Sequence, residues 1–386
     1  MKFATVAPPR LRTMEESERT ATWLELFYDL VFVAAVAMMG TRLVHDVTWS
    51  SIASYLGYFA LVWWLWASHT FYADRYDTDD LIYRFLAGAQ MVGVALIAVS
   101  VSLGVAGSTM VFALGYTAVR LILLVLYARA YRHVVETREL VRGYLIGFGA
   151  ASALWLVSIV VPEPYRFWLW LAAFAVDLAT PYILRRAQAA APLDVSHLPE
   201  RFGLFTILVL GESIVAITVG LSHVSWQPST TLVGVFGLGA ATCLWWINFD
   251  NHEGSVVRRR GDRKNWRPTV WIYSHLPLAI ALAMFGVSVE LAIVAADAGH
   301  DYLSADRWLL VGSVALAFAA MAAIQTASVR SDEEQLRRSV ITNRLLGIPL
   351  LLLVGLIPGI GAAWTMVLVT AVCSGEIVAD LVAANT

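Results

Sequence analysis

Charge is scarce in this sequence, and so is cysteine. Of its 386 residues only 15% are Asp, Glu, Lys or Arg, where a soluble domain carries roughly 25%. The formal net charge is −2, which argues against nucleic acid as a partner. Cys243 and Cys373 both lie inside apolar runs. A disulfide framework is therefore excluded, and no Cys pair has metal-ligand spacing. Low-complexity tracts are missing, and no cofactor motif is found. The first 22 or so residues lack the apolar core and small-residue cleavage site of a secretory signal, so the first apolar run is expected to direct insertion.

Apolar residues, in contrast, are abundant. They make up 59% of the chain and give a mean hydropathy of +0.68, against about 45–50% in a soluble domain. A protein core cannot absorb that much apolar surface, but a bilayer can. A span needs about 20 mostly apolar residues. Such runs fall at 23–44, 51–71, 82–104, 108–129, 143–161, 166–184, 202–222, 231–250, 270–294, 307–328, 341–357 and 361–381. With twelve spans, about 23 of the 27 Lys and Arg fall in the N-terminal tail and the even-numbered loops, the asymmetry of the positive-inside rule. Both termini are then expected to be cytoplasmic, in a plasma membrane. The other four are Arg42, Arg166 and Arg307 in odd-numbered loops and Arg120 inside the fourth run.

The stretch Trp23-Leu-Glu-Leu-Phe-Tyr-Asp-Leu-Val-Phe-Val-Ala-Ala-Val-Ala37 carries two carboxylates inside an apolar run. Glu25 and Asp29 are four apart, so they share one helix face. It has an echo in Glu200-Arg-Phe-Gly-Leu-Phe-Thr-Ile-Leu-Val-Leu-Gly-Glu-Ser-Ile214. Trp63-Trp64 is likewise echoed by Trp245-Trp246, and Val99-Ser-Val-Ser by Val287-Ser-Val-Glu290. The expected fold is all-α: a polytopic membrane protein of about twelve transmembrane helices in two parallel six-helix repeats. A tail at 1–22 would precede a first repeat at 23–190 and a second at 191–386. Repeats with an even number of spans are related by an axis along the membrane normal, and their pathway usually runs between the halves.

Three motifs resemble the bacterial low temperature requirement A family: Trp23 to Val33, Asp74-Arg-Tyr-Asp-Thr-Asp-Asp80, and Glu200 to Ile214. That resemblance implies a multi-pass inner-membrane protein and little about activity. A fainter similarity, in Phe27-Tyr28-Asp29-Leu-Val-Phe-Val-Ala and in Trp66 and His69, is to potassium channels built from two six-helix repeats. Tyr28 stands where those channels have Ser, and Gly211-Glu212-Ser213 departs from their second repeat.

Carboxylates within a span are costly and normally face a partner, water or an ion. Thr22-Trp-Leu-Glu25 reads as a capping box, which would satisfy Glu25. Asp29 lies about 10 Å into its span, beyond the reach of a cap. Glu212 lies roughly 15 Å from either end of the seventh. Arg120 and Asp177, at similar depth, are its candidate partners. Glu25, Asp29, Glu212, Asp177 and Arg120 are the candidate transport pathway. His69, Asp74, Arg75, Asp77, Asp79, Asp80, Asp250, His252 and His275 fall near span ends and form a candidate cytoplasmic mouth. His and carboxylate could ligate zinc or iron, but no His-x-x-x-His or Glu-x-x-His pair shares a helix. Asp79 and Asp80 also suit the positive end of the third helix.

The expected function is a cation or proton channel or transporter. An intramembrane enzyme acting on a lipid or apolar metabolite at the His/Asp group is an alternative, as is a non-transporting sensor or scaffold. Expected partners are the lipid bilayer and a monovalent cation or proton, with a homodimer left open. No cofactor and no metal are expected.

Overall fold

The computed structural model describes residues 6–12, 20–45, 47–77, 79–103, 108–191, 193, 197–250, 266–299, 302–328 and 334–385. Its helices are α1 (Trp23–His45), α2 (Trp49–Arg75), α3 (Leu81–Leu103), α4 (Ser108–His133), α5 (Arg138–Ser158), α6 (Tyr165–Ile183), α7 (His197–Ser222), α8 (Pro228–Phe249), α9 (Arg267–Ala298), α10 (Ser304–Ala327), α11 (Glu334–Leu356) and α12 (Ala362–Ala384). Before them, β1 (Arg10–Leu11) pairs antiparallel with β2 (Tyr76–Asp77), Arg10 opposite Asp77 and Leu11 opposite Tyr76.

Local chemistry sets several helix ends. At the start of α1, the Glu25 amide donates to Thr22 Oγ1 (3.3 Å) and the Thr22 amide to Glu25 Oε2 (2.8 Å), the reciprocal bonds of a capping box. Asp80 caps α3 by accepting the Tyr83 amide at 3.0 Å. Gln227 and Thr230 form a second box before α8. The helix α9 stops at Gly299, whose φ of +62° is the left-handed conformation glycine adopts without strain. Gly359, at φ +69°, turns the chain between α11 and α12.

Among the described residues, eleven helices are long and apolar enough to cross a membrane. The chain is an all-helical multi-pass membrane protein. The exception is α2, with 27 residues. Its Trp, Tyr and Ser lower its hydropathy. Residues 61–70 of α2 are all buried, and a segment enclosed by protein need not be apolar enough for lipid.

The chain divides into two compact units: residues 1–39 with 60–201, and residues 40–59 with 202–386. In the first, α3, α4, α5 and α6 pack in sequence order. Its core includes Tyr72, Tyr127, Tyr144 and Phe148. In the second, α9 packs against α8, α10 and α12. Leu278, Phe285 and Val289 on α9 and Leu310, Val314 and Phe318 on α10 are all buried.

Candidate functional site

Among the described residues, the first unit holds a dense group of buried charges. Glu25 and Asp29 leave α1 on one face, and two basic residues at the same four-residue spacing, His197 and Arg201, begin α7. Arg201 donates to Asp29 through Nη2 (2.5 Å) and Nε (3.2 Å), and its Nη1 lies 3.2 Å from Glu25 Oε1. His197 sits between two carboxylates: Nδ1 is 3.0 Å from Asp74 Oδ1, and Nε2 is 3.6 Å from Glu25 Oε2. Trp66 completes the shell of Asp29, its indole N–H donating at 2.7 Å. Glu25, Asp29, Asp74, His197 and Arg201 are each no more than 2% exposed.

Aromatic and amide groups extend this site. His69 stacks on Tyr28 with ring centroids 4.2 Å apart, and its Nε2 lies 3.2 Å from the Tyr83 hydroxyl. Tyr28 donates to Gln90 Oε1 at 3.2 Å. Arg75 follows Asp74 on α2, and their charges interact. Its guanidinium donates to the carbonyls of Ala191 (3.1 Å) and Phe71 (3.2 Å).

Asp29, a candidate pathway carboxylate, is the counter-ion of Arg201, as a buried charge is stable only when paired and hydrogen-bonded. Arg120 and Asp177, expected as candidate partners of Glu212, pair with each other in the first unit, with Arg120 also donating to Ser68 Oγ (3.2 Å) and lying over the Phe148 ring. Glu212 belongs to the second unit and is half-buried, with no ion pair or hydrogen bond among the described residues.

The residues expected at one mouth belong to both units and have separate partners within them. Asp79 forms a forked pair with Arg84, both bonds 2.7 Å, on the surface. Asp80 binds Arg129 at 2.9 Å and accepts the Ala7 amide at 3.4 Å. Burial alone would raise the Asp80 pKa. Its bonds from Arg129 and from the Tyr83 and Ala7 amides outweigh that and hold it below the ordinary value. Asp250 accepts from the Trp246 indole, one turn back. His275 is in the second unit, its Nδ1 2.7 Å from the Trp271 carbonyl and its ring against Phe202. Only the backbone of Asp77 is described, and His252 lies outside the described residues. Among the described residues no three His, Cys, Asp or Glu side chains converge to hold a metal.

His197 and Arg201 are not among the residues the sequence singles out. Their signal is i,i+4 spacing of opposite charge, acidic at 25 and 29 in the first echoing stretch and basic at 197 and 201 around the start of the second. What the helices would bring together was hidden.

Residues 20–376 match the family model described as bacterial low temperature requirement A protein (LtrA). The chain is also similar to "Uncharacterized protein RA0937" of Rhizobium meliloti (strain 1021). The two are 24% identical over 294 residues, which is 73% of this chain and 72% of that one.

Proposed function

The chain belongs to the bacterial low temperature requirement A family of membrane proteins, and from that premise we propose that it moves protons, or a monovalent cation coupled to protons, across the bilayer. One observation carries the reading: His197 stands between Glu25 and Asp74 in a buried group that also holds Asp29, Arg201 and Arg75. Taking up or losing the His197 proton changes the charge of that group in a low-dielectric interior, where a change of charge is costly unless it is compensated. Histidine is the side chain whose charge changes near neutral pH. Release of the proton therefore requires a compensating cation or a rearrangement of the cluster, and either one couples protonation to movement. Glu212 adds support, since a carboxylate with no cation beside it at mid-span must be protonated, hydrated or ion-bound.

The bias of Lys and Arg toward alternate loops supports a plasma-membrane orientation with both termini cytoplasmic. The echoes between residues 23–190 and 191–386 support two parallel repeats. A non-transporting pH sensor is the second reading, favoured by the complete pairing of Asp29 with Arg201 and of Arg120 with Asp177.

The test is flux into proteoliposomes holding the full-length protein and a pH-sensitive dye, with imposed proton, Na⁺ or K⁺ gradients. Wild-type protein is expected to acidify or alkalinise the lumen, and His197→Gln to lose at least about tenfold of that rate, the range of a general acid–base contribution or more. Absence of flux for every ion in the wild type removes the transport reading and leaves the sensor.

A further inference from the structure

A second set of buried charges lies in the first unit, with partners of its own. Arg120 on α4 and Asp177 on α6 form an ion pair, and Arg120 Nη1 also donates to Ser68 Oγ on α2 at 3.2 Å. Arg120 is 1% exposed and Asp177 is 0%. The charges balance, but the hydrogen bonds do not. Arg120 Nε and Asp177 Oδ2 have no hydrogen-bond partner in the protein among the described residues.

Two neighbours share that condition. Tyr116 stands one turn before Arg120 on α4, near enough to Arg120 and Asp177 for both charges to act on its hydroxyl. That hydroxyl is unpartnered as well. The Tyr116 ring is held by its stack on Trp155 of α5, with centroids 4.0 Å apart. The Trp155 indole N–H is likewise unbonded, and both side chains are fully buried. Each of these groups costs free energy if it stays unbonded.

The chemistry of the set selects its ligand. It offers N–H donors, a carboxylate acceptor and a hydroxyl that does either. Because the ion pair is already neutral, an added ion would leave a net charge in the interior. The ligand must also be small. The helices α5 and α6 approach so closely that a Cβ at Gly147 would collide with the side chain of Thr180, one turn along α6 from Asp177. Water is neutral, small, and both donor and acceptor. Buried water typically makes about 3 hydrogen bonds to polar groups that the protein leaves unpaired.

We propose that the Arg120–Asp177 pair holds internal water, bonded to Asp177 Oδ2, Arg120 Nε and the Tyr116 hydroxyl. Such water places a carrier of protons beside a carboxylate within a span, at a site distinct from His197. Its presence is read without flux, so it and the transport reading can fail separately.

A crystal structure of the full-length protein, at a resolution that shows ordered water, is the direct test. Density is expected within hydrogen-bond distance of Asp177 Oδ2 and of Arg120 Nε or the Tyr116 hydroxyl. Thermal unfolding in detergent gives an independent reading. Tyr116→Phe keeps the ring and removes only the hydroxyl. Loss of an unbonded buried hydroxyl is neutral or stabilising, whereas loss of a bonded one destabilises. Tyr116→Phe is therefore expected to melt about 2 °C below wild type, the scale of one hydrogen bond in a large chain. Tyr55 is the control: its hydroxyl is also buried and unpartnered, but no charged group acts on it among the described residues. Tyr55→Phe is expected to melt no lower than wild type. Absence of density, with the four atoms unbonded or bonded to one another, overturns the proposal. So does Tyr116→Phe melting at or above wild type, or an equal fall in both variants.

Discussion

Arg201 is the residue on which the buried cluster of the first unit turns. Among the described residues it reaches both α1 carboxylates, at 2.5 Å from Asp29 and 3.2 Å from Glu25. Replacing it with Met keeps the volume and strands two acids. Breaking a buried pair from one side costs about 3–5 kcal/mol, so Arg201→Met should unfold at a markedly lower temperature in detergent. Adding Asp29→Asn should recover part of that loss, because the stranded charge is then gone. Asp80 gives a prediction in pH, from outside the spans. Its folded pKa is depressed, so its contribution is present above the unfolded value of about 3.9 and disappears as pH falls through the folded one. Asp80→Asn should be less stable than wild type at neutral pH and equally stable in strong acid, read as two melting curves that merge on acidification.

At the level of elements, close helix approach holds the second unit together. Ser213 Oγ on α7 donates to the Leu282 carbonyl on α9 at 2.8 Å. A Cβ at Gly286 would meet the Ser213 Cα at 2.7 Å. That neighbour is backbone and cannot rotate away, so Gly286→Ala should force α7 and α9 apart and cost about 1–3 kcal/mol. Gly312→Ala, where a Cβ meets nothing within 4 Å, is the control and should melt with the wild type. The apolar runs already marked these elements, since helix length and hydropathy are properties of one segment. The helix α2 departs from that rule because its Trp, Tyr and Ser fill an interior. The capping role of Asp80 was readable for the same reason of locality. The partners of Asp29 and Arg120 were not, because Arg201 is 172 residues from the one and Asp177 is 57 from the other. The separate partners of the expected mouth residues have the same origin: adjacency to a span end says nothing about which neighbour a side chain meets.

For the whole molecule, scarcity of charge is what makes the remaining charges informative. A chain with 15% charged residues places few of them in its interior, and those it does place are costly to bury. The family match over residues 20–376 agrees with the sequence motifs on architecture and leaves the chemistry to the cluster. There, proton occupancy of His197 is the variable that sets the net charge. Nitrogen-15 NMR of the full-length, histidine-labelled protein in nanodiscs reads that occupancy directly. The expected result is one imidazole signal, absent in His197→Gln, that carries both ring protons near neutral pH and loses one as the pH rises, with flux falling over the same range. A His197 ring that stays singly protonated throughout, or one that titrates while flux is unchanged, would contradict it.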